Sequence, residues 1–306
     1  MSVGAEFSRP RIGVMFDHDR PPEELQAFAV AVEEAGVDEL WVVEDLGWAA
    51  SVSTAALALA ATTRIRVGIG IAPVPLRNPA LLAMELGALA RVFPGRLVAG
   101  LGHGVPEWMR KVGAEPARKL ALLEETILAV RGLLRGETVT LHGQAVTIDG
   151  VALVHPPAQV PPIVTGVVRP RSLELSGRVA DGTIIAEGHG PAQLAEVREH
   201  IERGRAGGAV EGPHDLIVFA FLRVDDDPAS AAAAVRETVE GQAAWLGVKP
   251  EELFGLIGPA TTVAEQFAAL SAAGAATVVL RPIGPDPIGQ VRAALTAIGI
   301  HPEPTA

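Results

Sequence analysis

Three side chains that could move a proton stand in loops that directly follow apolar runs. His103 comes after the turn Gly100-Leu101-Gly102, Glu107 lies in the same loop, and Asp45 follows an earlier apolar run. Histidine titrates near neutral pH and can act as an acid or as a base, so His103 is the first candidate for a catalytic group. Ordinary structural roles for His103 and Glu107 are the alternative. His103 could simply bond to backbone in its loop, and Glu107 could be an ordinary residue of a first helical turn.

Other kinds of reactive site find little support in the sequence. The run Gly100 to Gly104 has the spacing G-x-G-x-G, and no acidic residue closes a second strand about 20 residues further on, so a dinucleotide fingerprint is rejected. The histidines are scattered without an H-x-x-x-H pair, which argues against a metal site. The chain has no cysteine and no G-x-S-x-G turn, which disfavours thiolate chemistry and a hydrolase triad.

The stretch from Arg64 to Trp108 predicts a strand, a helix and a second strand with short connections. Arg64 to Gly70 and Arg96 to Gly100 are apolar runs, and Pro79 can open the helix between them. Such a β-α-β unit is typical of parallel sheets covered by helices. The alternation continues along the chain to eight strands and eight principal helices. This is the count of an α/β protein with a (β/α)8 TIM barrel.

Residues 137–160 interrupt this alternation. Thr138 to Leu141 and Ala145 to Ile148 predict a β-hairpin, and Val151 to Val154 predicts a third short run. We interpret the segment as an insertion into one barrel domain that spans residues 1–306. Two further helices are predicted over Pro116 to Leu134 and Pro250 to Leu256.

In a parallel barrel, functional loops follow the carboxyl ends of the strands. These positions are rich in glycine, histidine, acid and tryptophan, which suits a flat aromatic cofactor with glycine backbone against its face. Trp48 and Trp108 could line a substrate pocket there or pack as barrel rim. We expect the insertion to wall the same pocket. The strand-end positions are Asp17 and His18, Glu44 to Trp48, Gly70 to Asn78, Gly102 to Trp108, Gly166 to Ser172, Glu187 to His189, and Arg281.

Composition narrows the range of partners and compartments. The chain of 306 residues carries a net charge of -11, and the arginines of 198–205 are interleaved with glutamates, so no nucleic-acid partner is expected. The apolar stretch 55–72 is broken by Arg64 and Arg66, and residues 1–16 lack the pattern of a signal peptide. We therefore expect a soluble, cytoplasmic protein without membrane contact.

Three segments resemble the luciferase-like monooxygenase superfamily, whose (β/α)8 barrels use a flavin or the deazaflavin coenzyme F420. The first is VVEDLGW, after the second strand. The second is GIGIAPVPLRNPALLAMELGALARVFPGRLVAGLGHG, with a proline-rich loop before Arg77-Asn78-Pro79 and a Pro94-Gly95-Arg96 turn. The third, PIVTGVVRPRSLELSGRVADGTII, contains the pattern G-R-x-x-D-G. Together they cover most of the barrel.

The resemblance implies which residues surround the cofactor ring. It places Asp45 and Gly70 to Ala72 beside the ring, and it assigns later strand ends to the ring edge, the ribityl chain or the phosphate. The loop after Gly166 lacks the Gly-Gly pair often seen there, but Arg169 or Arg171 and the following helix start could still bind a phosphate. The implied cofactor residues are Asp45, Gly70, Ile71, Ala72, His103, Gly104, Gly166, Val167, Val168, Arg169, Glu187, Gly188 and His189.

The same resemblance implies a function. The pattern near Asp45 and Asn78-Pro79 is more similar to the deazaflavin branch, which implies an oxidoreductase that transfers a hydride between F420 and a small organic substrate. The alternatives are an FMN-dependent monooxygenase and a non-catalytic flavin-binding barrel. Proton transfer and ring positioning would fall to His103, Glu107 and Asp45.

Two structural expectations accompany this resemblance. The family is commonly dimeric, and the helices after strands two to four are rich in Ala and Leu, so we predict a homodimer. A non-prolyl cis peptide bond is expected between Gly70 and Ile71, at the end of the third strand.

Overall fold

The computed structural model describes residues 9–208 and 210–300, which form twelve strands and ten α-helices. Residues 1–8, which entered the signal-peptide prediction, lie outside this range. The strands are β1 (Arg11–Phe16), β2 (Glu39–Val42), β3 (Arg66–Ile69), β4 (Ala72–Pro73), β5 (Leu97–Gly102), β6 (Val139–His142), β7 (Thr147–Val151), β8 (Ile163–Gly166), β9 (Gly182–Ile185), β10 (Asp215–Val224), β11 (Leu256–Gly258) and β12 (Thr277–Pro282).

Eight of the strands close into a parallel barrel. Their order in space is β1, β2, β3, β5, β8, β9, β10, β12, and β12 pairs with β1 to complete the ring. The prediction of a (β/α)8 TIM barrel is confirmed. The loops that follow the carboxyl ends of the strands therefore meet at one end of the barrel.

The helices lie between the strands, on the outside of the barrel. Six of the ten described helices begin at a proline, whose fixed φ and missing N–H suit the first helical position. The ten described helices are α1 (Leu25–Glu34), α2 (Ser51–Ala61), α3 (Pro79–Val92), α4 (Pro106–Lys111), α5 (Lys119–Leu134), α6 (Pro170–Val179), α7 (Pro191–Arg205), α8 (Pro228–Leu246), α9 (Ala260–Ala272) and α10 (Pro287–Ala297). Within the described ranges, no helix has the length and apolarity required to cross a bilayer.

Two predicted helices have different bounds in the structure. The helix predicted from Pro116 starts at Lys119 as α5. The helix predicted over Pro250 to Leu256 is wrong, since a three-residue 3-10 turn at Pro250–Glu252 is followed by β11. Leu256 pairs with Leu222 near the end of the long strand β10, so a tertiary strand partner overrides the local helical pattern.

The insertion forms a hairpin of β6 and β7 that packs against α5. The second strand starts later than predicted because the backbone N–H groups of Gln144, Ala145 and Val146 all donate to the Glu125 carboxylate of α5, at 2.7 to 2.8 Å. The predicted third run at Val151 to Val154 is not a separate strand, since β7 already ends at Val151. Side-chain contacts, not strand pairing, fix this segment to the barrel.

The largest side chain of the barrel interior is Trp41, which packs with residues such as Met15 and Phe219. Trp41 is fully buried, and a β-carbon on Gly68 would lie 2.4 Å from its ring, so this layer has room for the indole only because position 68 is glycine. Trp41 Nε1 donates to the buried Glu39 carboxylate at 2.9 Å, and Glu39 pairs with Arg11 and Arg66. This polar cluster closes the amino end, which leaves a cavity at the carboxyl end.

Candidate active site

A bulge separates β3 from β4 at the edge of the cavity. Gly68 pairs with Val98 and Ala72 pairs with Leu101, so residues 69–71 face only residues 99–100 of the neighbouring strand. The peptide bond between Gly70 and Ile71, inside the bulge, is cis, and this prediction is confirmed. Ile71 lines the floor of the cavity.

The glycines of β5 and β8 accommodate this bulge. A β-carbon on Gly100 would lie 1.8 Å from the carbonyl oxygen of Ile69, and one on Gly166 would lie 2.5 Å from Cγ2 of Ile71. A β-carbon on Gly102 would lie 2.9 Å from the carbonyl oxygen of Gly166. The G-x-G-x-G run therefore serves close packing of backbone and side chains, in agreement with the rejection of a dinucleotide fingerprint.

One cavity of about 1130 Å³ opens at the carboxyl ends of the barrel strands. This exceeds the volume of a pocket for a single drug-sized ligand, roughly 300–1,000 Å³, so it has room for a cofactor and a substrate together. Its floor is apolar and includes Met15, Ile71, Ile184 and Phe219. Every residue that the family resemblance implied for the cofactor lines this cavity except Ala72, which is buried in β4.

The wall of the cavity differs from the predicted one. None of residues 137–160 lines it, so the expectation for the insertion is wrong. Trp108 lines the cavity, whereas Trp48 does not and lies behind His18 with 54% of its surface exposed. The end of α8 forms the missing wall with Trp245, and Gln242 of that helix donates to the carbonyl oxygen of Glu187 at 3.1 Å.

Sequence reasoning missed this wall because α8 reads as an ordinary outer helix. The signal was the spacing of Gln242, Trp245 and Leu246, which places all three on one face near the helix end. Gly247, with φ of 75°, then ends the helix in the left-handed conformation.

His103 lies on the basic side of the cavity and is largely buried. Its Nε2 is 3.1 Å from Oγ of Ser172, a buried residue in the first turn of α6 that the sequence placed at a strand end but did not assign to the cofactor or to catalysis. Burial, followed by the positive charge of Lys119, lowers the pKa of His103, although a hydrogen bond with the Lys119 backbone opposes this. His103 is therefore a neutral imidazole at pH 7.

A second histidine faces the cavity from the opposite side. His18 Nδ1 is 2.7 Å from Oδ2 of Asp45 and 3.5 Å from Oδ1 of Asp17. The hydrogen bond to Asp45 raises the pKa of His18, and the nearby Asp17 adds to this against the opposing effects of burial and Arg281. The sequence placed His18 and Asp45 at neighbouring strand ends but did not pair them.

Arg281 completes this side of the site. Its Nε donates to Asp17 at 2.6 Å and its Nη1 donates to the buried Glu187 at 3.2 Å. Both acids satisfy the guanidinium, so the group of three leaves a net negative charge beside His18 and Asp45.

Asp45 is held in place through its neighbour Glu44. Arg77 donates to both oxygens of the Glu44 carboxylate at 2.7 and 2.8 Å, and the backbone N–H of Ser51 donates to it at 2.8 Å. Burial raises the pKa of Glu44, but the hydrogen bonds from Arg77 and Ser51 outweigh it, and the pKa is lowered. The loop after β2 is thus tied to the start of α2 and to the loop before α3.

The family follows from comparison with known proteins. The model of the luciferase-like monooxygenase family matches residues 5–277. The chain belongs to this family. Over 74% of the chain and 69% of the relative, it is 28% identical to 5,10-methylenetetrahydromethanopterin reductase of Methanolobus tindarius. Over 70% of the chain and 68% of the relative, it is 30% identical to an F420-dependent glucose-6-phosphate dehydrogenase of Kineococcus radiotolerans.

Solved structures show the same fold. An F420-dependent secondary alcohol dehydrogenase in complex with an F420-acetone adduct superposes with a TM-score of 0.83 at 20% identity, covering 95% of this chain and 99% of that one. The oxygenating constituent of 3,6-diketocamphane monooxygenase of Pseudomonas putida, in complex with FMN, gives a TM-score of 0.74 at 17% identity, covering 97% and 99%.

In this luciferase-like barrel, charge is divided between two sides of the cavity. Arg169 and Arg171 flank the first residue of α6, and neither forms an ion pair within residues 9–208 and 210–300. Lys119 lines the same side. Glu107 lies at the rim, where its carboxylate pairs with Lys111 at 2.8 Å and its side chain is 62% exposed. The basic side suits an anionic group, while the other side carries His18 and the acids.

Proposed function

We propose that this barrel is an oxidoreductase that transfers a hydride between coenzyme F420 and a small organic substrate. The observation that carries the proposal is the shape and charge of one cavity, with an apolar floor at the Ile71 bulge, a basic side and an opposite His18–Asp45 pair. Relatives named as F420-dependent enzymes support the same cofactor. Bound F420 would supply the hydride acceptor or donor.

The residues present fit such a cofactor. The apolar floor around Ile71 can receive a flat ring, because glycines at 70 and 166 keep side chains away from it. Arg169, Arg171 and the N–H groups at the start of α6 can bind a phosphate. We place the remaining predicted residues Val167, Val168, Gly104, Gly188 and His189 around the ring edge and the ribityl chain.

The side chains near the ring have different tasks in this proposal. His103, as a neutral imidazole held by Ser172, can hydrogen-bond the bound ligand without adding a charge. Asp45 fixes the orientation of His18. Glu107 meets ligands at the rim, and Trp108 and Trp245 enclose the substrate above the ring.

Separate titrations of the purified protein with F420 and with FMN test the cofactor. We expect F420 to bind, and we expect a substrate to reduce or oxidise it in a reaction that does not use O2. Aerobic turnover with reduced FMN would instead support an FMN-dependent monooxygenase, the alternative that the FMN-bound structural neighbour favours. If the protein binds neither F420 nor FMN, the proposal is overturned.

We also propose that two copies of the chain associate through α2, α3 and α5. These helices carry large apolar side chains that are 43 to 58% exposed, namely Leu57, Leu81, Met84 and Leu128. Light scattering should give the mass of a dimer, and Met84→Lys should shift it toward the monomer. A monomer mass for the unmodified chain at all dilutions would contradict this.

A further inference from the structure

We propose that His18 exchanges the proton that accompanies hydride transfer, and that Asp45 is its positioning residue. This rests on the proposed function, because the hydride partner comes from there. The inference goes against the expectation from sequence, which gave the proton to His103.

The geometry of the pair assigns a role to each ring nitrogen. Nδ1 of His18 lies 2.7 Å from Oδ2 of Asp45, and no hydrogen-bond partner of Nε2 occurs in residues 9–208 and 210–300. His18 lines the cavity, and its side chain is 29% exposed. A carboxylate on Nδ1 fixes the tautomer and leaves Nε2 to receive or give a proton.

Every neighbouring charge acts on this imidazole in a defined direction. Asp45 from the loop after β2 and Asp17 from the end of β1 favour its protonated form. Arg281 from β12 opposes it, but Asp17 and Glu187 already bind that guanidinium. The face away from the cavity is covered by Trp48, whose ring centroid is 5.1 Å from that of His18. An aromatic ring at this distance also stabilises an imidazolium.

The reaction step balances with His18 as the proton acceptor. For an alcohol, the C–H bond breaks and its electron pair leaves as a hydride to F420. The O–H bond of the same alcohol breaks and its proton moves to Nε2 of His18, which gives a carbonyl product and an imidazolium paired with Asp45. In the reductive direction the imidazolium returns the proton to the oxygen of the carbonyl.

His103 is less suited to this step. Its Nε2 is already occupied by Ser172, and no carboxylate contacts the ring within the described residues. Burial and the charge of Lys119 also lower the pKa of His103, which disfavours a charged ring there.

Tryptophan emission of the ligand-free protein reports the state of His18, since a neighbouring imidazolium quenches an indole. We expect a Trp48 emission increase with rising pH, with its midpoint above about 6.5. Asp45→Asn should move the midpoint down by about one pH unit, and His18→Gln should remove the transition. His200→Gln is the matched control, because His200 also pairs with a carboxylate, Glu174, but on the outer helix α7. A transition that persists in His18→Gln overturns the proposal.

Turnover decides the catalytic role. With F420 and 2-propanol as the probe alcohol, or the corresponding reaction of reduced F420 with acetone, His18→Gln should lower kcat by roughly 100-fold with a smaller change in KM. Wild-type kcat for oxidation should rise with pH through the midpoint seen by Trp48 emission, and imidazole should restore part of the rate of His18→Ala. The His200 control should match wild type.

Different results overturn the proposed function and the role of His18. If F420 binds and turns over but His18→Gln keeps the wild-type kcat and pH profile, the inference is overturned while the proposed function stands. If F420 does not bind, the proposed function is overturned and the proton role falls with it. If F420 binds without turnover of either probe, the alcohol step described above is overturned.

Discussion

The carbonyl oxygen of Ile69 occupies the space that a side chain on Gly100 would need, since a β-carbon there would lie 1.8 Å away. The neighbour is backbone and cannot rotate out of the way, so Gly100→Ala must push β3 and β5 apart. We expect the free energy of unfolding to fall by about 3 kcal/mol, measured by urea denaturation.

Gly241→Ala is the matched control for that substitution. Gly241 lies within α8, where a new β-carbon would meet no atom within 4 Å. We expect a gain of roughly 0.5–1 kcal/mol, because alanine restricts the unfolded chain and favours the helix. Equal effects of the two substitutions would show that the close approach of Ile69 and Gly100 does not limit position 100.

Arg77 and Glu44 should depend on each other. Both are largely buried, with 13% and 9% of their side chains exposed, and Arg77→Met would leave the Glu44 carboxylate without its main partner. We expect a loss of about 3–5 kcal/mol in the free energy of unfolding, and recovery of much of it in Arg77→Met combined with Glu44→Leu. Additive losses in the double variant would contradict a coupled pair.

Arg169 and Arg171 should affect cofactor affinity without affecting stability. Each exposed guanidinium can pair with a phosphate at the start of α6, so either alanine variant should raise the Kd for F420 about 10-fold, more at low salt than at high salt. Arg292→Ala removes an exposed arginine of α10, outside the cavity, and should leave Kd unchanged. An unchanged Kd in both cavity variants would exclude a phosphate from this side.

His214 should make the protein sensitive to acid. Burial, followed by the positive charge of Arg205, lowers its pKa to about 4, and its Nε2 contacts Oγ1 of Thr183 at 2.7 Å. The unfolded chain binds a proton near pH 6.5 while the folded chain does not, so stability is complete above that pH and is lost as pH falls toward 4. The loss attributable to His214 is about 3 kcal/mol. Denaturation of wild type and His214→Gln between pH 7 and 4 measures it, and parallel pH profiles would contradict it.

The local pattern of the chain was sufficient to predict the barrel and the end of the barrel that carries the site. Apolar runs separated by prolines and glycines determine the alternation of strand and helix, and parallel pairing then brings every strand end to one rim. His18, Asp45, His103 and Arg281 were all placed at strand ends for this reason. The implied cofactor residues came from family resemblance, which the chain alone would not have supplied.

The errors arose where a segment depends on a partner that is distant in the chain. The β11 strand exists because Leu256 meets Leu222, and the insertion lies away from the cavity because its turn binds Glu125. Neither contact produces a periodic pattern of residues in the local sequence. The wall formed by Trp245 was missed because a helix that covers a cavity has the same local pattern as one that covers a strand.

By itself, the sequence determined the fold class and the barrel end that holds the chemistry, because both follow from local periodicity. Tertiary structure decided which groups meet across the rim. It placed His18 beside Asp45 and His103 beside Ser172. The imidazole of His18 can therefore carry a proton, whereas that of His103 stays neutral. The reason is that a side chain's proton affinity depends on neighbours within a few ångströms, and those neighbours come from different strands.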